Sequence, residues 1–132
     1  MPKPDWSYRV RRSTAGLGLF ACREFQRGET IIEYTGEIIS DAEANRRGGR
    51  YLFRLNRNWV IDGSTRSNVA RYINHSCRPN AYAELSADEQ QVHIIAKRRI
   101  APEEEITYHY GKEYVQMYIT PHGCRCQACQ VK

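Results

Sequence analysis

Residues 71–80 read RYINHSCRPN, and this stretch decides how the rest of the chain is interpreted. Asn74, His75 and Ser76 carry hydrogen-bonding side chains, and Pro79 follows shortly after them. Proline lacks a backbone N–H, so the stretch cannot continue as a regular helix or a central strand. A loop whose polar side chains bond its own backbone is one interpretation. Because ten residues of this character lie between apolar, strand-like runs, the sequence favours a binding loop.

Strand-like patterns dominate the chain outside this loop. β-branched and aromatic residues recur in short runs, which is typical of half-buried strands. We expect Thr30–Ser40 to form either two strands or one bent strand, with the break at Gly36, because a glycine inside a strand pattern marks a break or bend. The other expected pairs are Arg50–Leu55 with Trp59–Ile61 across Asn56–Asn58, and Asn80–Ser86 with Gln91–Ala96 across Ala87–Gln90. The predicted fold class is mostly β, with several small sheets.

Helical signals are short and weak. Side chains that accept hydrogen bonds favour the N-cap position, and glycine favours the C-terminal end of a helix. Two helical segments are expected: residues 42–47, capped by Asp41 and ended by Gly48 and Gly49, and residues 68–73, capped by Ser67 or Asn68.

Two further motifs offer candidate site residues. Gly16-Leu17-Gly18 would let a backbone approach a ligand closely, because glycine has no Cβ, although most such tripeptides are simply turns. Residues 104–111 read EEITYHYG, and alternation places Tyr108 and Tyr110 on one face of a strand that ends at Gly111. The alternative is that these tyrosines only cover a sheet face. We expect Tyr34-Thr35-Gly36 to be the partner of this strand.

A cluster of cysteines near one end of the sequence indicates a metal site. Cys124, Cys126 and Cys129 are too close for ordinary mutual disulfides, and a total of five cysteines does not fit a disulfide framework. A tetrahedral zinc site needs a fourth ligand, for which Cys77 in the polar loop is the best candidate. Cys22 is expected to be buried among apolar residues. The alternative is a tail of free thiols.

Length and charge bound the classes of function. At 132 residues with a formal net charge of +5, the chain is expected to form one domain with a basic surface. That surface is either simply solvated or a docking face for an acidic or polyanion-associated partner. No apolar run approaches the length of a membrane span, and the N-terminus lacks the core of a signal peptide. Membrane insertion and export are therefore not expected.

In this order, the motifs closely resemble the SET-domain protein-lysine methyltransferases that carry a cysteine-rich post-SET tail. The resemblance runs from Ser13 to Cys129, and it implies a fold of several small β-sheets with a knot-like crossing, short helices and a zinc-bound C-terminal tail. It also implies a catalytic SET domain over residues 1–118 and a post-SET tail over residues 119–132. The matching segments are GLGLF at 16–20, YTGE at 34–37, RYINHSCRPN at 71–80, EEITYHYG at 104–111 and CRCQAC at 124–129.

The resemblance implies S-adenosylmethionine as the methyl donor, S-adenosylhomocysteine as its product, and one structural zinc. The positions that match donor-binding residues of the family are Gly16, Leu17, Gly18, Tyr34, Tyr51, Arg71, Asn74, His75 and Tyr110. Those that match catalytic residues are Tyr110, Tyr34 and Tyr108, and those that match zinc ligands are Cys77, Cys124, Cys126 and Cys129. The tail departs from the family pattern, which more often has four residues before the last cysteine.

The resemblance further implies a protein substrate that presents a lysine, with a histone or a histone-like DNA-packaging protein as the first expectation. A tyrosine at the position of Tyr108 implies that methylation stops mainly at monomethyl-lysine. We expect action in the cytoplasm or nucleus, or in a host nucleus after delivery. Two alternatives stay open: a non-enzymatic basic zinc module that binds nucleic acid, and a degenerate SET domain that binds donor or peptide without catalysis.

Overall fold

The computed structural model describes residues 7–14, 16–49, 51–111 and 123–124. The chain divides into two compact units. The first unit comprises Met1–Glu29, Tyr72–Tyr82 and Ala96–Lys132, and the second comprises Thr30–Arg71 and Ala83–Ile95. The predicted boundary between residues 118 and 119 lies outside the described residues.

Short strands make up most of the regular structure, which confirms the predicted fold class. The strands are β1 (Tyr8–Ser13), β2 (Gly16–Ala21), β3 (Thr30–Tyr34), β4 (Glu37–Ser40), β5 (Leu52–Arg54), β6 (Trp59–Asp62), β7 (Asn74–His75), β8 (Ala81–Leu85), β9 (Val92–Ala96) and β10 (Glu105–Tyr108). Helix α1 spans Asp41–Arg47, and a 3-10 helix spans Val69–Tyr72. The strands form three small sheets, in the orders β1-β2-β10-β7, β3-β9-β8 and β4-β6-β5. No helix in the described ranges is long and apolar enough to cross a membrane.

The four-stranded sheet of the first unit carries the polar loop at its edge. β1 and β2 pair antiparallel along their whole length. β10 pairs antiparallel with β2, where Ile106 lies opposite Leu19 and both side chains are fully buried. β7 pairs in parallel with β10, with Asn74 opposite Thr107. The polar loop thus contributes a two-residue edge strand, and this pairing fixes its position beside β10.

Asn80 fastens the end of the polar loop to β10. Its side chain is only 2% exposed. Nδ2 donates to Glu105 O at 2.7 Å and to Glu104 Oε2 at 3.1 Å, and Oδ1 accepts from Thr107 N at 2.9 Å. A buried amide must find hydrogen-bond partners, and here each partner lies on or beside β10. The polar loop is therefore held to this strand in its middle, through β7, and at its end, through Asn80.

The two sheets that lie mainly in the second unit confirm two of the predicted strand pairs, β5–β6 and β8–β9. β4 follows β3 after a break at Gly36, as expected, and β5 pairs antiparallel with β6 as the predicted hairpin. A Cβ at Gly36 would lie under 3.0 Å from the backbone of Asp62, which explains why glycine stands at the break. In the third sheet β3 pairs antiparallel with β9, and β8 lies next to β9 as predicted.

Helix α1 begins one residue earlier than predicted. Ser40, and not Asp41, is the N-cap, because its side chain accepts a hydrogen bond from Glu43 N at 3.1 Å. Both residues are good caps by type, so sequence alone could not separate them. The helix ends as expected at Gly48, whose φ of 61° suits glycine and whose N–H donates to Ala44 O.

Candidate active site

The Gly16–Leu17–Gly18 segment lies at the start of strand β2 and is not a separate turn. A Cβ at Gly18 would lie under 3.0 Å from Glu105 Oε2, and it would also crowd Ser13 and Asn74 Nδ2. Only glycine lets these side chains approach the β2 backbone. The backbone of this segment therefore lies against a small group of polar side chains in the first unit, formed by Ser13, Asn74 and Glu105.

Asn74 is the centre of this polar group. Its Nδ2 donates to Leu17 O at 2.8 Å, to Ser13 Oγ at 3.0 Å and to Glu105 Oε2 at 3.0 Å. Three acceptors around one nitrogen fix the orientation of the amide. Within the described residues, no hydrogen bond ends on Asn74 Oδ1, so this oxygen can accept from a ligand such as an ammonium group.

Glu105 and Ser13 were not predicted as site residues. The signal for Glu105 was present in the sequence, since Ile106 and Tyr108 form the buried face of β10 and Glu105 must point the other way. Ser13 comes to the site only because β1 and β2 pair as a hairpin, which the sequence analysis did not include.

Tyr110 lies beyond the end of β10, and not within the strand as predicted, because β10 ends at Tyr108. Its hydroxyl donates to Ile73 O at 2.5 Å, and its backbone N–H donates to His75 Nδ1 at 3.1 Å. The Tyr110 ring centroid lies 5.1 Å from that of Tyr108 and 5.4 Å from that of His75. The direction of the Tyr110 phenol is thus fixed by these two hydrogen bonds and two ring contacts. It is not fixed by the alternation of side chains along β10, because the strand ends before Tyr110.

His75 is a buried, neutral imidazole. It is 6% exposed, and burial lowers its pKa to about 4, with a smaller contribution from the neighbouring His109. The His109 ring packs edge-on against it, with 4.6 Å between centroids. At neutral pH the ring therefore carries one proton and can both donate and accept one hydrogen bond.

Cys77 and Cys124 come together as the sequence predicted, with their sulfur atoms 3.9 Å apart. Two thiolates on one tetrahedral zinc, each about 2.3 Å from the metal, would lie about 3.8 Å apart, so the pair fits zinc. This separation is far too long for a disulfide between the two. Cys126 and Cys129 lie outside the described residues. Cys22, expected to be buried, is half-buried.

His75 joins these two cysteines in a group that the sequence analysis did not predict. The ligand atoms of His75, Cys77 and Cys124 all lie within 4.8 Å of one another. His75 Nε2 is 3.6 Å from Cys77 Sγ. The available signal was a histidine two residues before Cys77, but the sequence analysis assigned that histidine to donor binding instead.

Tyr34, Tyr51 and Arg71 form a group within the second unit. The Tyr34 hydroxyl donates to Tyr51 O at 2.8 Å. The Arg71 guanidinium lies over the Tyr51 ring, 5.0 Å from its centroid, and Nη1 donates to Ser64 O. The expected strand partnership of Tyr34–Gly36 with residues 104–111 is wrong, because β10 pairs with β2 and β7, and β3 pairs with β9. The knot-like crossing stays a prediction.

Asn68 and Gly63 support this second group and were not predicted as its members. The predicted turn over residues 68–73 is present as the 3-10 helix, but the Asn68 side chain does not cap it. Asn68 is fully buried, and its amide accepts from Thr35 N at 3.0 Å and donates to Gly63 O at 3.0 Å. A Cβ at Gly63 would overlap both Asn68 and the ring of Tyr34. Glycine at this position therefore allows Tyr34 to pack where it does.

Much of the basic surface is paired with carboxylates. Arg9 and Arg11 both contact Glu103, and Arg98 contacts Glu104. In the second unit Arg47 forms ion pairs with three carboxylates: Glu37, Glu43 and Asp62. The excess of positive charge is thus locally balanced at these places, which weakens the case for a continuous nucleic-acid face.

The sequence of this chain is similar to those of known proteins. A sequence model described as the SET domain matches residues 16–111. The chain is 42% identical to histone-lysine N-methyltransferase 2D of Homo sapiens over 125 residues, which cover 85% of this chain and 2% of that protein. It is 38% identical to histone-lysine N-methyltransferase trr of Drosophila melanogaster over 142 aligned positions, or 97% of this chain and 6% of that protein. A Schizosaccharomyces pombe histone-lysine N-methyltransferase described as H3 lysine-4 specific is 39% identical over 105 residues, or 71% of this chain and 11% of that protein. The aligned part is thus a small fraction of each relative.

Proposed function

Because the chain belongs to the SET domain family, we propose that it is an S-adenosylmethionine-dependent protein-lysine N-methyltransferase. The names of its relatives support this assignment, since each is a histone-lysine N-methyltransferase. The observation that carries the proposal is the grouping of Gly18, Asn74, His75 and Tyr110 in one unit, within the segment that the family matches.

Donor binding is assigned to the polar group around Asn74. Bound S-adenosylmethionine supplies an electrophilic methyl group and carries an ammonium group. Asn74 Oδ1 is the acceptor proposed for that ammonium, because Nδ2 is already engaged by three acceptors. Gly16, Leu17, Gly18, Tyr34, Tyr51, Arg71 and His75 complete the proposed donor-binding set. The buried, neutral ring of His75 suits contact with an uncharged part of a ligand.

The tyrosines are assigned to the lysine. A free lysine amine has a pKa near about 10.4, so the enzyme must favour the neutral amine. An aromatic environment disfavours the ammonium form, and Tyr108 and Tyr110 provide adjacent rings. Because the Tyr110 hydroxyl gives its proton to Ile73 O, its oxygen acts as an acceptor and can orient an amine N–H. Positioning and electrostatics would then supply most of the rate acceleration, with Tyr34 as a further member of the proposed catalytic set.

We propose a structural zinc held by Cys77, Cys124, Cys126 and Cys129. The spacing of the first two sulfur atoms supports it. Residues 1–118 would then form the catalytic domain, and residues 119–132 a post-SET tail that the metal fastens to the polar loop. Because these ligands come from distant parts of the chain, metal binding would stabilise the fold.

The proposed substrate is a lysine of a histone or a histone-like DNA-packaging protein, methylated in the nucleus or cytoplasm. The test is transfer of labelled methyl groups by zinc-loaded protein to a panel of core histones, bacterial DNA-packaging proteins and cell lysate. Tyr110→Phe should reduce the transfer by about 100-fold or more. Tyr82→Phe is the matched control, since Tyr82 is exposed on β8 and has no place in the site. Equal transfer by both variants would contradict the role of Tyr110.

We also propose that the product is mainly monomethyl-lysine, because the ring at position 108 is a tyrosine next to the proposed transfer point. A phenol can hold a water molecule where a bulkier methylated amine needs space. Tyr108→Phe should shift the products towards dimethyl- and trimethyl-lysine without abolishing transfer. Mass spectrometry of a methylated peptide measures the distribution. A wild-type product that is mostly trimethylated would overturn this part of the proposal.

A further inference from the structure

His75 lies with Cys77 and Cys124 in a group of possible metal ligands, but its hydrogen bonds restrict the role that it can have. His75 Nδ1 accepts a hydrogen bond from the backbone N–H of Tyr110 at 3.1 Å. A ring nitrogen that accepts carries no proton, and an imidazole ring keeps at least one N–H. That proton is therefore on Nε2, which lies 3.6 Å from Cys77 Sγ. A protonated nitrogen has no lone pair for a metal.

We infer that His75 is not a zinc ligand and instead donates its Nε2–H to the zinc-binding thiolate of Cys77. This inference rests on the zinc site of the proposed function. An N–H donor stabilises a thiolate, and outer residues of this kind fix the orientation of a ligand and tune its affinity. His75 is thus a positioning residue for the metal. The zinc ligands in this proposal are thiolates only. The distance from His75 Nε2 to Cys77 Sγ is nevertheless one that two ligand atoms on the same metal could have.

The packing around the ring keeps His75 in this orientation. The imidazole is 6% exposed, with His109 edge-on at 4.6 Å and the Tyr110 ring at 5.4 Å between centroids. Turning the ring over would break the bond from Tyr110 N and move Nε2 away from sulfur. One side chain therefore ties the backbone of the proposed catalytic Tyr110 to the zinc site.

Two substitutions of His75 by amide side chains test the roles of its two ring nitrogens separately. The nitrogen of a glutamine side chain reaches about as far as Nε2, so His75→Gln keeps a donor for Cys77 and loses the acceptor for Tyr110. The oxygen of an asparagine side chain takes the place of Nδ1, so His75→Asn keeps the acceptor and loses the donor. Competition with a chromophoric chelator measures zinc affinity. We expect His75→Asn to weaken zinc binding by about 10- to 100-fold, and His75→Gln by only a few-fold.

Cobalt substitution tests the ligand set independently of affinity and of catalysis. The absorption bands of Co²⁺ distinguish four thiolates from three thiolates and one imidazole. We expect four-thiolate spectra for the wild type and for both variants, recorded with metal in excess so that all are loaded. A wild-type spectrum with a nitrogen ligand that both variants lose would overturn the inference, as would equal loss of zinc affinity in the two variants.

Failure of the inference and failure of the proposed function give different results. If the wild-type protein binds no zinc, both the zinc site and the role of His75 are wrong, whereas methyl transfer still decides the enzymatic proposal. If it binds one zinc through three thiolates and His75, the zinc site stands and only the inference falls. In metal-free reduced protein, the nitrogen chemical shifts of His75 should show the proton on Nε2, and a proton on Nδ1 would also overturn the inference.

Discussion

Asn74→Asp tests the polar group of the proposed donor pocket, because it replaces one NH2 group by an oxygen. In the wild type Nδ2 donates to Ser13 Oγ, Leu17 O and Glu105 Oε2 at 2.8–3.0 Å. An aspartate has no proton for Leu17 O, and it places a second carboxylate against Glu105. The substitution should therefore destabilise the protein by repulsion as well as by lost hydrogen bonds.

The distances set the size of this effect. Two unit charges 3.0 Å apart at an effective dielectric constant of about 20 repel by about 5 to 6 kcal/mol. The pair can avoid this by taking up one proton, which at pH 7 costs about 4 kcal/mol for an ordinary carboxyl group. Both side chains are half-buried, so solvent screening lowers the penalty further, and we expect about 2 to 3 kcal/mol at pH 7.

The sign of the pH dependence follows from the proton uptake. The folded Asn74→Asp variant binds a proton more tightly than the unfolded chain, so its penalty shrinks as the pH falls. At pH 5 the uptake costs only about 1 kcal/mol, so the repulsive part of the penalty should not exceed that value, and the part due to lost hydrogen bonds remains. Urea unfolding of the donor-free protein at pH 5 and pH 7 measures the difference.

Two controls separate repulsion from lost packing. Asn74→Ala removes the same hydrogen bonds without adding charge, so its penalty should not change between the two pH values. Combining Asn74→Asp with Glu105→Gln should recover most of the penalty, as expected for residues in contact. Equal penalties for the Asp and Ala variants at both pH values, with no recovery in the double variant, would refute the assigned orientation of the Asn74 amide.

Three further predictions concern other parts of the chain. Gly63→Ala should destabilise the protein by about 1 to 3 kcal/mol in urea unfolding, because its Cβ displaces Asn68 and Tyr34, whereas Gly49→Ala, with open space around it, should not. Burial alone would raise the pKa of Glu104, but hydrogen bonds from Arg98, Ala101 N and Asn80 outweigh it and lower the pKa. The stability that Glu104 contributes is therefore full above the ordinary carboxyl range and lost as the pH falls through the lowered pKa. Unfolding curves of wild type and Glu104→Gln should converge in acid, and a constant gap would contradict this. Removing zinc with a chelator should lower the melting temperature, with a loss of about 3 kcal/mol where free zinc had stood at 100 times its Kd, and an unchanged melting temperature would contradict a structural metal.

The sequence was sufficient to predict several of the strands and two of their pairings. The break at Gly36 and the β5–β6 and β8–β9 pairs follow from period-two patterns and turn residues, which act over a few neighbours in the chain. The cap of α1 was misplaced by one residue because Ser40 and Asp41 are equally good caps by type. The choice between them depends on how the chain leaves β4, which local patterns do not include.

The site was less accessible to sequence reasoning, because its contacts join distant segments. Asn74 meets Ser13 across 61 positions and Glu105 across 31, and no local pattern encodes those distances. Tyr110 was expected to share a strand face with Tyr108, yet β10 ends before it, and hydrogen bonds to Ile73 and His75 orient it instead. Ser67 or Asn68 was expected to cap a turn, but tertiary partners use both ends of the Asn68 amide.

The central claim is that this chain moves a methyl group from S-adenosylmethionine to a lysine of a protein. The most direct measurement follows S-adenosylhomocysteine and methyl-lysine in the same reaction, with zinc-loaded protein and core histones. We predict one S-adenosylhomocysteine for each methyl group on lysine, with both products lost together in the Tyr110→Phe variant. Donor binding without either product on any protein tested would contradict the claim and would favour a domain that binds the donor without catalysis.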